Sequence, residues 1–180
     1  MTSPDYSPAA DRNKQAILEV LLTVLPERGN ALEIASGTGQ HVAWFASSLP
    51  GWTWQPSDAQ PDGFESINVW VIEQGVRNVR SPVVIDVMAS NWLPTPQLFD
   101  LIYCANMLHI APWATCAALM RGSAQHLGLA DGWSPMAPIL KMAYLHHRAT
   151  CHLTNACASA TRPGAFAVLK MWPWKRRKPV

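Results

Sequence analysis

The hydrophobic positions of the chain fall into short continuous runs that alternate with series at helical spacing. Helical spacing of three and four residues begins after Ser7 and Pro8, which suit an N-cap and a first helical position, and continues to Leu25. An apolar run follows at residues 31–35, and after a glycine turn residues 40–49 have helical spacing again. The pattern predicts helix, strand, turn and helix in that order.

The same alternation continues through the middle of the chain. Residues 52–56 alternate as a strand does, and Asp62 and Glu65 have the spacing of a capping box that opens the next helix. Residues 83–87 form a β-branched run typical of a buried parallel strand, and residues 98–104 form a fourth apolar run.

A last helical series begins at Pro112 and extends towards Leu127. Strands that alternate with helices, joined by crossovers long enough for a parallel return, predict an α/β fold of the Rossmann-like, doubly wound type.

Composition agrees with a globular core but reveals a break. Of 180 residues, 49% are hydrophobic and 14% are charged, which excludes disorder as the dominant state. The net charge of +2 combines −5 over residues 1–127 with +7 over residues 128–180. We therefore expect a domain over 1–127 and a divergent basic tail over 128–180, poorly structured or partly docked.

The sequence contains neither a membrane-length apolar stretch nor a secretory signal, so we expect a cytoplasmic protein, with the nucleus as the alternative and no membrane partner. Cys104 and Cys116 lie in apolar segments and are predicted to be buried thiols. In the tail, Cys151 and Cys157 lack the spacing of a zinc site, so no metal is expected. The basic run at residues 175–178 is interpreted as a solvated end, and nucleic-acid binding is not expected.

The sharpest motif is EIASGTGQH at residues 33–41, between a predicted strand and a predicted helix. Glycines there permit a tight turn, and the amides at the helix start attract an anion. A P-loop is excluded because no Gly-Lys-Ser/Thr follows, and a dinucleotide fingerprint is weakened because its third glycine falls at Val42. An acid followed by G-x-G fits S-adenosylmethionine, whose single carboxylate needs only a few amides.

Several motifs in a fixed order extend this interpretation. They are residues 11–14, 33–41, 54–58, 85–87 and 106–113. With them, residues 1–127 resemble a class I S-adenosylmethionine-dependent methyltransferase, and specifically the methyltransferase-like 26 family. Since the sheet of such methyltransferases continues beyond a fourth strand, the resemblance implies that the later strands of the sheet are missing from this chain.

The resemblance implies roles for individual residues. Glu33, Gly37, Thr38 and Gly39 would form the cofactor loop, and Asp58, at the end of the second strand, would bind the ribose hydroxyls. Asp86, at the end of the third strand, would lie near the adenine.

The residues themselves support Asp58, because it follows Gly39 by 19 positions, close to the spacing of about 20 for a ribose-binding acid. The alternative for Asp58 and Asp86 is an ordinary turn aspartate.

The fourth strand leads to Asn106 and His109, where the methyl acceptor would lie. We interpret His109 as a general base, needed only if the acceptor keeps a proton, and Asn106 as an orienting amide. The alternative is that both bind loop backbone groups. Arg12 and Asn13 either close over the site or form an exposed helix face, and Trp113 either packs over the substrate or anchors its helix.

The sequence therefore predicts S-adenosylmethionine-dependent methyl transfer to an unknown acceptor, with unknown protein partners. The change of character at residue 127 supports an alternative, a non-catalytic truncated isoform, such as a splice or frame variant, that keeps part of the cofactor-binding half. A nicotinamide-dependent oxidoreductase is the third alternative.

Overall fold

The structure is a computed structural model and describes residues 3–95, 97–107 and 110–128. The strands are β1 (Gly29–Ile34), β2 (Trp52–Asp58), β3 (Val83–Val84) and β4 (Leu101–Cys104). The helices are α1 (Pro8–Val24), α2 (Gln40–Ser48), α3 (Phe64–Glu73) and α4 (Trp113–His126), and a 3-10 turn, Pro61–Gly63, precedes α3.

The strands form one sheet in the order β3-β2-β1-β4, and every pairing is parallel. Glu33 of β1 lies opposite Tyr103 of β4 and Pro56 of β2. This order matches the first four strands of a doubly wound sheet and confirms the predicted fold class. From β1 the chain continues to β2 and β3 on one side, and it then crosses back to place β4 on the other side of β1. The switch point therefore lies between β1 and β4, where such folds bind ligands at the carboxyl ends of the strands.

Both faces of the sheet are covered. On one face, α1, α2 and α3 pack a cluster that includes Leu21, Phe45 and Ile67 against Trp54 and Leu101 of the strands. On the other face, α4 packs Leu119 and Met120 against β1, β4 and the segment after β3. Two covered faces explain why β4 is a continuous apolar run that is buried along its whole length.

The predicted start of α1 is confirmed, and the predicted capping box is wrong. Ser7 is the N-cap of α1 and accepts a hydrogen bond from the Ala10 amide at 3.3 Å, with proline at the first helical position. At α3 the N-cap is Gly63, without a side-chain hydrogen bond, because the preceding residues form the 3-10 turn that includes Asp62. The 3-10 turn therefore leads into α3 in place of the predicted side-chain cap.

The third strand is shorter than predicted. Only Val83 and Val84 pair with β2, and the Ile85 amide adds a hydrogen bond to the Asp58 carbonyl at 2.9 Å. Ile85 and Val87 are buried as core residues without being strand residues. Asp86 therefore lies in a turn beyond the strand and does not end it.

The described chain ends beside β4. Phe99 and Leu127 form an isolated parallel bridge, with the Phe99 amide bonded to the His126 carbonyl at 2.8 Å and the Gly128 amide bonded to the Phe99 carbonyl at 2.9 Å. The predicted tail, apart from Gly128, lies outside the described residues. Cys104 and Cys116 are buried thiols outside any disulfide bond among the described residues, as predicted. Among the described helices, none combines the length and the apolar character needed to cross a bilayer.

Candidate functional site

The loop from Ala35 to Gly39 leaves β1 at the switch point, and its backbone is unusual. Ala35, Gly37 and Gly39 have φ angles of +56°, +53° and +88°. Asn106, two residues after β4, has a φ of +61°. Left-handed backbone at a non-glycine residue is uncommon and collects at ligand sites. Ala35 and Asn106 follow the two neighbouring strands that flank the switch point.

The two glycines of this loop have different surroundings. A Cβ at Gly39 would lie 2.7 Å from the Ile67 Cα, so Gly39 lets α2 approach the backbone of α3. A Cβ at Gly37 would have no neighbour within 4 Å. Gly37 is exposed, so its missing side chain leaves the loop backbone open to an approaching molecule.

Hydrogen bonds tie the loop to the end of β2. The Ser36 amide donates to the Ser57 carbonyl at 2.8 Å, and the Ser57 amide donates to Ser36 Oγ at 3.1 Å. The Ser57 hydroxyl donates to the Glu33 carbonyl at 2.7 Å. These buried bonds fix the loop against the carboxyl end of β2.

Asp58, the last residue of β2, lies directly beside the loop. Its Oδ2 accepts from the Gly37 amide at 3.0 Å, and its Oδ1 accepts from the Ala59 amide at 2.8 Å. A carboxylate has about four acceptor positions, so each oxygen keeps one for a further donor. The backbone thus fixes the orientation of a half-buried carboxylate that can still accept two hydroxyl groups.

Glu33 is fully buried next to the same loop. Burial raises its pKa to about 8, the Asp58 charge adds to the rise, and the Ser36 hydroxyl partly opposes it. Among the described residues, its Oε2 has no hydrogen-bond partner. A buried carboxyl oxygen without a partner is unfavourable in the folded chain and is suited to a donor group of a ligand.

His41 connects α1, α2 and β4 beneath the loop. Its Nε2 lies 2.6 Å from Asn13 Oδ1, and its Nδ1 lies 3.4 Å from the Tyr103 hydroxyl. Since the Asn13 oxygen can only accept, Nε2 donates and Nδ1 accepts from Tyr103. Burial lowers the His41 pKa to about 4, which keeps the ring neutral, and Phe45 stacks on it at 5.4 Å.

Gln40, the first residue of α2, joins the loop to the segment before α1. Its Oε1 accepts from the Ser7 amide and from the Thr38 hydroxyl, the latter at 3.2 Å. Its Nε2 is buried and has no partner among the described residues. Ser66 strengthens this connection, because its Oγ accepts from the Asp5 amide at 2.9 Å and donates to the Thr38 carbonyl at 2.8 Å.

The structure brings together five of the predicted cofactor residues, Glu33, Gly37, Thr38, Gly39 and Asp58, at the ends of β1 and β2. Asp86 is exposed in its turn, where Oδ1 accepts from the Met88 amide at 2.8 Å. Of the predicted catalytic pair, Asn106 follows β4 and is partly buried, and His109 lies outside the described residues.

The structure separates Arg12 from Asn13, two residues of α1 that the sequence analysis treated together. Arg12 is exposed, whereas Asn13 is half-buried against His41 and is not part of an exposed face. Trp113 is 59% exposed, which disfavours the alternative that it anchors its helix. Gln40 and His41 were not singled out as functional contacts, and Asn13 was considered only together with Arg12. The sequence indicated them only through their position inside the motifs at residues 11–14 and 33–41.

The opposite edge of the sheet carries a groove of about 470 Å³ at the amino ends of β1 and β2, lined by Leu22, Leu49 and Pro50 among others. Ligands of open α/β sheets bind at the carboxyl ends instead, so the loop edge is the candidate site.

Comparison with known proteins agrees with the fold. A family model described as "Protein of unknown function (DUF938)" matches residues 4–131. Solved structures with a similar fold include the apo form of the S-adenosylmethionine-dependent methyltransferase SibL, with a TM-score of 0.55 and 17% identity over 67% of this chain. An O-methyltransferase family protein from Burkholderia thailandensis has a TM-score of 0.55 and 16% identity over 67% of the chain. A protein from Pyrococcus horikoshii OT3 has a TM-score of 0.57 and 16% identity over 67% of the chain.

The described residues therefore have the Rossmann-like fold of class I methyltransferases. The chain spans only 33%, 36% and 54% of the lengths of these three proteins, respectively.

Proposed function

The chain belongs to the DUF938 family, and from the loop at its switch point we propose that it binds S-adenosylmethionine and transfers the methyl group to an acceptor. The observation that carries this proposal is the contact of Asp58 Oδ2 with the Gly37 amide at 3.0 Å. This contact places a carboxylate of the kind that binds ribose hydroxyls beside an open glycine loop at the carboxyl ends of parallel strands. The ordered motifs that resemble the methyltransferase-like 26 family make that family the finer part of the proposal.

The residues of the loop fit such a cofactor. Asp58 keeps one acceptor position on each oxygen for the two ribose hydroxyls, and Glu33 offers a buried oxygen to an ammonium group. Gly37 leaves the backbone open, so the ligand can lie against the loop. In this proposal Asp86 lies near the adenine, with Oδ2 available after Oδ1 binds Met88.

S-adenosylmethionine supplies an electrophilic methyl group, so the protein mainly has to orient the acceptor. We assign that role to Asn106, which lies in the turn after β4 and has a left-handed backbone. Because the last residues of β1 and β4 pair with each other, this turn lies next to the end of β1. His109 removes a proton from an acceptor that still carries one. Residues 1–127 are the cofactor-binding part in this proposal, and residues 128–180 are a basic tail.

The experiment is isothermal titration of the full chain with S-adenosylmethionine, with NAD as a competing candidate. Asp58→Asn removes the charge that accepts the hydroxyls, and we expect the Kd to rise about tenfold or more. Wild-type protein that is folded and binds NAD in place of S-adenosylmethionine would contradict the proposal.

A matched glycine pair separates ligand contact from backbone strain. Gly37 and Gly75 have φ angles of +53° and +63°, and a Cβ at either position would meet nothing within 4 Å. Alanine should therefore destabilise the fold by a similar ~1 kcal/mol at both. Only Gly37→Ala should weaken S-adenosylmethionine binding, since Gly75 follows α3, away from the loop. Equal affinities of the two variants would mean that the ligand does not contact Gly37.

A non-catalytic, cofactor-binding form is the second candidate function. The observation that favours it is the outer edge of β4, which in the described residues carries only the bridge between Phe99 and Leu127. Transfer of a labelled methyl group by the purified chain, measured beside binding, distinguishes the two candidates.

A further inference from the structure

Gln40 carries a buried hydrogen-bond donor that the fold does not use. Its side chain is only 3% exposed, and its Nε2 has no partner among the described residues. A buried donor without an acceptor is unfavourable, so Nε2 of Gln40 points to an acceptor that the described residues do not provide.

The orientation of this amide is fixed by its other end. The Ser7 amide and the Thr38 hydroxyl both approach the same atom. The Ser7 amide can only donate, so the atom that it contacts is the oxygen, and the NH2 group lies at the other position. The segment before α1 therefore holds Gln40 in one orientation.

Glu33 carries the complementary group at the β1 end of the loop, as Gln40 does at the α2 end. Its Oε2 is buried and unpartnered, and its carboxyl lies near Ser36 and Asp58. Between them, Glu33 and Gln40 flank residues 34–39 with one acceptor and one donor. An α-amino acid group, which carries an ammonium and a carboxylate, is complementary to this pair.

We propose that Gln40 is a recognition residue that donates a hydrogen bond from Nε2 to the carboxylate of the ligand's amino-acid end, with Glu33 facing its ammonium. The proposal rests on the proposed function, because it names the part of S-adenosylmethionine that Gln40 contacts. The first turn of α2 adds its amides on the same side, which favours a carboxylate there. The contact between Gln40 and Ser7 makes the start of α1 part of the binding site.

The test compares two probes that share a nucleoside. S-adenosylhomocysteine has the amino-acid end, and 5′-methylthioadenosine lacks it. Gln40→Glu keeps an acceptor for Ser7 and Thr38 and replaces the donor by an oxygen. We expect the Kd for S-adenosylhomocysteine to rise about tenfold or more, and the Kd for 5′-methylthioadenosine to change by less than about twofold.

Gln74→Glu is the matched control, because Gln74 is exposed at the end of α3 and the change adds the same charge. It should leave both affinities unchanged. Gln40→Met, which is apolar and of similar length, serves as the second variant if Gln40→Glu does not fold, and it should show the same selective loss.

The outcomes separate the two proposals. Wild-type protein that binds both probes, with variants that weaken both equally or neither, would overturn the role of Gln40 alone. Folded wild-type protein that binds neither probe would overturn the proposed function and this inference together.

Discussion

At Glu33 a carboxyl group lies inside an apolar sheet, and its protonation is coupled to folding. Its pKa rises from 4.5 to about 8 because burial disfavours the charged form. The unfolded chain loses this proton near pH 4.5, while the folded chain keeps it to about pH 8. Glu33 therefore stabilises the fold fully below pH 4.5, and that stability is lost as the pH rises through about 8.

His41 acts in the opposite direction over a lower range. Its pKa falls from 6.5 to about 4, so its contribution is present above pH 6.5 and lost as the pH falls through about 4. Between pH 4.5 and 6.5 the two effects oppose each other. The loss caused by Glu33 is therefore seen by itself between pH 6.5 and 8.

We predict that Glu33→Gln removes this loss. In urea denaturation, the free energy of unfolding of the wild-type chain should fall between pH 6.5 and 8, by an amount on the order of a few kcal/mol, and that of the variant should stay level. Glu73→Gln, at an exposed position, should keep the wild-type profile. A variant profile parallel to the wild type would show that Glu33 is already ionised in the folded chain.

At this scale the sequence predicted the residues that act through local position. Gly37 and Gly39 follow β1 and Asp58 ends β2, so the turn and the strand end determine where these residues lie. Asn13, Gln40 and His41 depend on contacts between α1 and the loop, and Asn13 is 28 residues from His41. Neither periodicity nor local motif identifies such a partner.

At the scale of elements, the predicted helices and strands are largely correct because hydrophobic spacing and turn residues agree for them. The start of α1 and the extent of α2 follow directly from Ser7, Pro8 and the glycine loop. The third strand was overestimated, because a β-branched run is equally suited to packing as core without strand pairing, as Ile85 and Val87 do. The same sequence pattern satisfies both arrangements.

The packing of α2 on α3 depends on Gly39, and we predict a large loss of stability for Gly39→Ala. The new Cβ would lie 2.7 Å from the Ile67 Cα, which is backbone and cannot rotate away, and φ is +88°. We expect a loss of about 3 kcal/mol or more in the free energy of unfolding, against about 1 kcal/mol for Gly75→Ala, which adds only backbone strain. Equal losses in chemical denaturation would show that α2 and α3 separate without penalty.

At the scale of the whole molecule, the alternation of strands and helices predicted a doubly wound parallel sheet, because parallel crossovers of one hand leave few arrangements. The structure adds the strand order β3-β2-β1-β4. The charge difference between residues 1–127 and 128–180 is a property of composition, and it does not specify what pairs with β4. The structure adds one contact at that edge, between Phe99 and Leu127. Leu127 is the last residue before the tail that the sequence pattern predicted.

This bridge is a hydrogen-bonded contact on the outer side of β4, and we predict that Gly128→Pro weakens it. The proline removes the amide that donates to the Phe99 carbonyl at 2.9 Å. Leu127, with φ of −84° and ψ of 124°, already has the extended backbone that precedes a proline, so its conformation does not need to change. We expect a loss of about 1 kcal/mol in the free energy of unfolding.

Gly128→Ala is the control, because its Cβ would lie 3.6 Å from Leu98 Cβ and 3.7 Å from the Phe99 carbonyl oxygen, both ordinary contacts, and the amide is kept. It should change stability by less than about 0.5 kcal/mol. Since opening the bridge exposes more of an apolar strand edge, light scattering should also rise faster on heating for Gly128→Pro than for Gly128→Ala. If the two variants melt and scatter alike, the bridge does not protect β4, and another part of the chain covers that edge.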